Sequence, residues 1–129
     1  MALADILRSL FPRGPRKPRR LSEVPREFRA RCVAYFDDPS HWQGCVSSNV
    51  HSFALFIDLT RAKDTNTLGV RFSPGHEITE YWYFGVPLRI YSDMISAASK
   101  GRFVWEQLRL ANYFDYYKRG VVGYDGVVS

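Results

Sequence analysis

From Ser47 to Phe84 the apolar residues recur at every second position, and they do so in three successive runs. Phe53, Leu55 and Ile57 alternate with Ser52, Ala54 and Asp58; Leu68, Val70 and Phe72 alternate with Gly69 and Arg71; Ile78 to Phe84 is an aromatic run. Successive side chains on a strand point to opposite faces, so the pattern predicts three strands, the first of them half-buried. The polar stretch Thr60 to Asn66 and the turn residues Ser73-Pro74-Gly75-His76 connect them into an antiparallel meander. In the third strand Thr79, Tyr81 and Tyr83 face one way, and Ile78, Glu80, Trp82 and Phe84 the other.

On both sides of this block the period is helical. Val24, Phe28, Cys32 and Tyr35/Phe36 share one face of a helix that starts at a Ser22 cap, tolerates Pro25 in its first turn, and stops at Asp37-Asp38-Pro39. After Gly85 breaks the last strand, Pro87 opens a helix with the stripe Leu88, Tyr91, Met94/Ile95 and Ala98, ending at Ser99-Lys100-Gly101. Phe103, Val104, Leu108, Ala111 and Phe114 predict a last helix reaching about Tyr117, with Lys118, Arg119 and Gly120 as its end signals. Residues Val121 to Ser129 are expected as a tail or a small added strand.

The predicted class is therefore α+β: a three-stranded antiparallel meander packed with two C-terminal helices, plus an N-terminal helix and an extended basic arm. The expected divisions are 1–21 (N-terminal helix and arm), 22–46 (helix and connector), 47–119 (the sheet-and-helix domain) and 120–129 (tail). A chain of 129 residues makes one compact domain with short appendages, which excludes a multidomain enzyme.

The net charge of +5 is unevenly placed. Residues 1–31 hold nine Lys/Arg against Asp5, Glu23 and Glu27, whereas 32–129 hold nine against ten acids. Leu3, Ile6, Leu7, Leu10 and Phe11 describe a short amphipathic helix, marginal alone, whose apolar face is expected to dock on a partner. Pro12 ends it, and Arg13, Arg16, Lys17, Arg19 and Arg20 follow among prolines with no acid, an extended arm that attracts phosphate or acidic protein surfaces. A membrane anchor is the weaker reading of this segment, because the helix is short and lacks an aromatic rim. No run approaches the roughly 18 apolar residues of a span, and no basic segment precedes the first apolar stretch, so a soluble cytoplasmic protein is expected.

Four segments then fall in a recognisable order: Ser47-Ser48-Asn49-Val50, Thr67-Leu68-Gly69-Val70-Arg71-Phe72, Tyr81-Trp82-Tyr83-Phe84-Gly85-Val86-Pro87 and Ala98-Ser99-Lys100-Gly101. Over roughly 47–114 the sequence resembles the KTSC family, whose central Tyr-x-Tyr motif is matched by Tyr81 and Tyr83 and whose downstream pattern is matched by Ser99, Gly101, Phe103 and Leu108-Arg109. The resemblance implies a small domain of the kind found at the C-terminus of some lysyl-tRNA synthetases and alone in bacterial and phage proteins. It also implies RNA binding as the proposed role, with no established activity. The sequence departs from the family in a longer Thr60 to Asn66 loop and in Trp105, which stands where a polar residue such as Asn is common. Residues 1–46 and 120–129 lie outside the resemblance.

Tyr81 and Tyr83, with Trp82 and Phe84, are candidate stacking platforms for bases, or else core. Lys100, Arg102 and Arg109 lie near one helix end and either meet phosphate or form a solvated face. Cys32, His41, Cys45 and His51 lack the paired spacing of a zinc site, so no metal and no cofactor is expected. Asp37/Asp38 and His76/Glu77 have no third partner to orient them, and no phosphate loop, GxSxG or HExxH is present, so neither an enzyme nor a small-molecule substrate is expected. The leading expectation is a non-catalytic binding and assembly module, a component of a larger particle such as a phage virion, anchored on protein subunits or nucleic acid by the basic arm. The alternative is an RNA or single-stranded nucleic-acid-binding accessory protein using the Tyr81/Tyr83 face. The latter requires at least two of Tyr81, Trp82 and Tyr83 exposed beside cations; the former requires exposed apolar positions on the arm and edges.

Overall fold

A computed structural model describes residues 19–47, 49–60, 66–111 and 114–129. The predicted docking helix with Leu3, Ile6, Leu7, Leu10 and Phe11, and the arm cations Arg13, Arg16 and Lys17, lie outside the described residues. In chain order the elements are β1 (Arg20–Leu21), α1 (Arg26–Phe36), a 3-10 turn (Pro39–His41), β2 (Gln43–Gly44), β3 (Val50–Phe56), β4 (Thr67–Phe72), β5 (Ile78–Phe84), α2 (Leu88–Ser96), α3 (Lys100–Phe103) running into a π-helical stretch (Val104–Ala111), and β6 (Tyr116–Val122).

The predicted meander β3-β4-β5 forms the middle of a larger sheet, ordered β1-β6-β5-β4-β3-β2. Its pairs are antiparallel except the outermost β1 and β6, where Arg20 and Leu21 run parallel to Tyr116 and Tyr117. One cross-strand row reads Leu55, Leu68, Tyr83 and Tyr116, and the next reads Ala54, Gly69, Trp82 and Tyr117. The two rows point to opposite faces, and helices cover both.

On the first face Phe53, Leu55, Leu68, Val70 and Tyr83 pack with Ile90 and Met94 of α2 and with Val104 and Leu108. On the second face Phe28, Cys32 and Phe36 of α1 pack over Ala54 and Trp82. Strand β3 is consequently buried on both sides instead of half-buried, while Ile57 falls beyond its end and is 49% exposed. Gly69 is required by this second layer, because a Cβ there would lie 2.6 Å from Phe36 Cε1 and 2.9 Å from Trp42 Cη2.

The second face also buries a charge. Glu80 is fully enclosed, and its carboxylate accepts from Arg71 Nε (3.0 Å), Arg119 Nη1 (2.9 Å) and Trp82 Nε1 (2.8 Å). Arg119 also donates to Asp37 at the end of α1, and the Arg71 guanidinium carbon lies over the Trp42 ring, 4.0 Å from its centre. The carboxylate therefore ties helix, 3-10 turn and three strands together with its acceptors satisfied, the condition under which a buried charge is tolerated.

Three expectations are corrected. The last helix stops at Ala111 instead of reaching Tyr117, and Lys118, Arg119 and Gly120 are strand residues of β6, not helix-end signals. The alternation of Tyr116, inward on the first face, with Tyr117, inward on the second, carries that strand into the ladder with β5. Helix α1 starts at Arg26 with Pro25 at its N-cap position and no Ser22 cap, because the residue before a proline is turned away from helical geometry. The end of the arm is no free extension: Arg19 pairs with Asp115 at 3.3 Å, and Arg20 and Leu21 are in the sheet.

Candidate functional site: an aromatic cleft with two arginines

A cleft of about 550 Å³ opens between the first sheet face and the α3/π-helical segment. Its floor is Phe72, Thr79, Tyr81, Tyr83 and Tyr116 from β4, β5 and β6; its roof is Gly101, Val104, Trp105 and Arg109; Arg20, Asn49 and Pro74 stand at its rim. The floor is made of rings in mutual contact, with Tyr81 edge-on to Phe72 at 5.6 Å and Tyr116 at 6.1 Å from Tyr81 and 5.8 Å from Tyr83. Aromatic residues dominate β5, and alternation delivers every second ring here.

The roof supplies charge. The Arg109 guanidinium lies 5.4 Å from the Trp105 ring centre and 5.2 Å from that of Tyr116, the range of cation–π attraction. Trp105 and Arg109 sit in the π-helical stretch, a backbone form often found at functional sites. The Arg109 Nε is buried without a hydrogen-bond partner, which costs on the order of 1–3 kcal/mol for a protein donor. Arg20 is the strand partner of Tyr116 and adds a second cation at the rim. Among the described residues no Asp or Glu lines the cleft. Two guanidiniums, hydroxyls of tyrosine and threonine, and a Trp105 ring that is 54% exposed favour an anion attached to a flat ring.

The sequence-derived candidates divide around this cleft. Tyr81 is half-buried on its floor, whereas Tyr83 is 1% exposed, and burial pushes its phenol well above the ordinary tyrosine range. Trp82 is wholly buried on the opposite face. The two exposed sheet rings that the RNA reading required are therefore not found: Tyr81 is half-buried, Trp82 and Tyr83 are buried, and the exposed ring of the cleft is Trp105 from the π-helical stretch. Arg109 and Arg20 line the cleft. Lys100 instead donates to the carbonyls of Ile95 and Ala97, closing the end of α2, and Arg102 makes an exposed pair with Glu106 at 3.5 Å. Asn49, Trp105 and Tyr116 were missed as site residues; the signals were Asn49, as part of a family segment, and Trp105, as a departure from the family pattern.

The other clusters stand apart from it. Cys32 lies in the core of the second face, Cys45 packs against the first, and His41 stacks on Tyr35 at 3.9 Å. Among the described residues no group of three or more His, Cys, Asp or Glu is placed to hold a metal ion. Asp38 accepts from Ser40 Oγ and Ser40 N at the start of the 3-10 turn, which holds its carboxyl below the usual range. His76 and Glu77 are exposed in the β4–β5 turn. No helix among the described residues is long and apolar enough to cross a membrane.

Fold and cleft together define a small α+β domain whose one sheet carries an acid-free, ring-lined site. The KTSC domain profile matches residues 62–113, which include most of the floor and the whole roof. A solved KTSC domain protein from Yersinia pestis is 30% identical, covering 61% of this chain and 96% of that one, with a TM-score of 0.46. On the sequence match the chain belongs to the KTSC domain family. No curated protein gives a match. Arg20, Asn49 and Tyr116 lie outside the matched segment and are contributed to the cleft by this chain's flanking elements.

Proposed function

We propose that the protein is a non-catalytic binding module that holds single-stranded nucleic acid in this cleft. The observation that carries the reading is the meeting of two guanidiniums with an exposed indole in a cleft that no acid among the described residues lines. Bases stack on aromatic faces with little sequence preference, and Arg supplies the phosphate contact. Other cations of residues 1–31, among them Arg13, Arg16 and Lys17, add a further, less directional attraction for the strand.

The test is binding of labelled single-stranded RNA and duplex DNA across a salt series, with the full chain and its Arg109→Gln and Trp105→Ala variants. Single strands are expected to bind more tightly than duplex, with each phosphate contact contributing about 0.7 to the logarithmic salt slope. Binding untouched by both variants would remove the cleft from the reading and leave the N-terminal quarter as the only contact.

A second reading is an assembly role within a larger particle. Val46, Leu59, Tyr124 and Val127 are exposed at loops and sheet margins, where a protein neighbour would cover them. Chemical cross-linking from these positions to a co-purified structural protein would favour it; a monomer that cross-links to nothing would not.

A further inference from the structure

We propose that the cleft is a pocket for one terminal nucleotide bearing a phosphomonoester, so that the protein takes strand ends in preference to strand interiors. The inference rests on the nucleic-acid reading above. Size is the first argument: about 550 Å³ is the scale of a single small ligand, whereas strand-tracking grooves engage several nucleotides.

Charge is the second. A phosphodiester brings one negative charge and a phosphomonoester about 1.5 to 2 at neutral pH, and Arg20 with Arg109 matches the larger value with no carboxylate to offset it. Geometry is the third. Arg109 lines the cleft with Trp105 and Tyr116 in cation–π range and its Nε enclosed by protein, so the terminal Nη1/Nη2 edge is what it can offer a ligand. Two Nη groups form a fork of parallel donors that fits two oxygens on a single phosphorus. Arg20, presented beside Tyr116, reaches the remaining oxygen, and the open part of Trp105 receives the base.

The experiment measures anisotropy of three oligoribonucleotides of one sequence, ending in a 5′-phosphate, a 3′-phosphate or hydroxyls only, with the full chain. At least one phosphorylated strand is expected to bind about tenfold or more tightly than the hydroxyl-ended one, and the favoured end identifies the ligand. That advantage should collapse in Arg20→Gln, an exposed position whose change spares the fold, and in Arg109→Gln. Equal binding of all three strands, still weakened by Arg109→Gln, overturns end recognition while strand binding stands. A phosphate preference that survives both variants overturns the assignment to this cleft. Absence of binding by every strand overturns both readings.

Discussion

Replacing Glu80 by Gln should be the most destabilising single-charge change in the protein. The wild-type carboxylate spends both oxygens on three donors, from Arg71, Arg119 and Trp82, at 2.8 to 3.0 Å. The amide keeps one acceptor and turns an NH2 group toward donors, while the guanidiniums of Arg71 and Arg119, 13% and 7% exposed, lose their shared counter-charge. Breaking a buried pair in this way costs about 3–5 kcal/mol. Arg119 retains Asp37, which places the expected loss near the lower end, about 3 kcal/mol. For a domain of this size that lowers Tm by roughly 10 °C. In urea, with a slope of about 1.5 kcal/mol/M, the midpoint should fall by about 2 M. Tryptophan fluorescence is the natural readout, since Trp82 and Trp42 both touch the network. Replacing the three charged residues together, Glu80→Leu with Arg71→Met and Arg119→Met, should recover much of the loss, because no buried charge is left unpaired and Asp37, which loses Arg119, is half-exposed. A midpoint shift under about 0.5 M at unchanged slope in the single variant would refute the claim that this carboxylate neutralises both arginines.

Other consequences concern packing and pH. Gly69→Ala drives a methyl against the Phe36 and Trp42 rings and should destabilise by about 1–3 kcal/mol in chemical denaturation; a neutral effect would mean that the second layer gives way. Burial is the largest influence on the Asp58 carboxyl and raises its pKa, but bonds from Thr60 and Arg31 outweigh it and hold the group below the usual range. Its contribution to stability is therefore complete above the unfolded value of about 3.9 and is lost as pH falls through the lower folded value. Thermal unfolding of Asp58→Asn from neutral to acid pH should show a weaker acid dependence than wild type, and parallel curves would contradict this. Tyr83 titrates in the opposite sense: its raised pKa keeps stability intact below about pH 10 and erodes it above, as the unfolded phenol ionises. Tyr83→Phe should flatten the alkaline limb of the stability curve, read beside tyrosinate absorbance; an unchanged limb would assign the alkaline loss elsewhere.

The meander was legible because β3, β4 and β5 carry two-residue alternation between clear turns, and Gly85 with Pro87 announced α2. What alternation alone hides is a second cover: a strand such as β3, apolar on both faces, reads as half-buried until α1 is seen above it. The segment after Ala111 was misread because Tyr116 and Tyr117 suit a helix stripe as well as a ladder, and only pairing with β5 decides between them. Glu80 looked like the polar member of an alternating strand, since the cations that neutralise it lie 9 and 39 positions away. The cleft was half visible for a related reason. Tyr81, Arg109 and Asn49 lie in motifs, whereas Arg20 and Tyr116 join them through sheet order, which local sequence does not contain.

The place of β6 has a consequence for the order in which the molecule can be completed. This strand sits between β5 and β1, and Arg19 meets Asp115 across 96 positions of chain. During synthesis, β3, β4 and β5 can pair as each emerges, but the β1 segment has no neighbour until residue 116 and those after it have left the ribosome. Arg19 to Leu21 are thus tied down last, and the cleft gains Arg20 and Tyr116 in the same event. A nascent or prematurely ended chain carries the family segment with a cleft that lacks Tyr116 and the placed Arg20, so the shape of this cleft depends on translation running through β6.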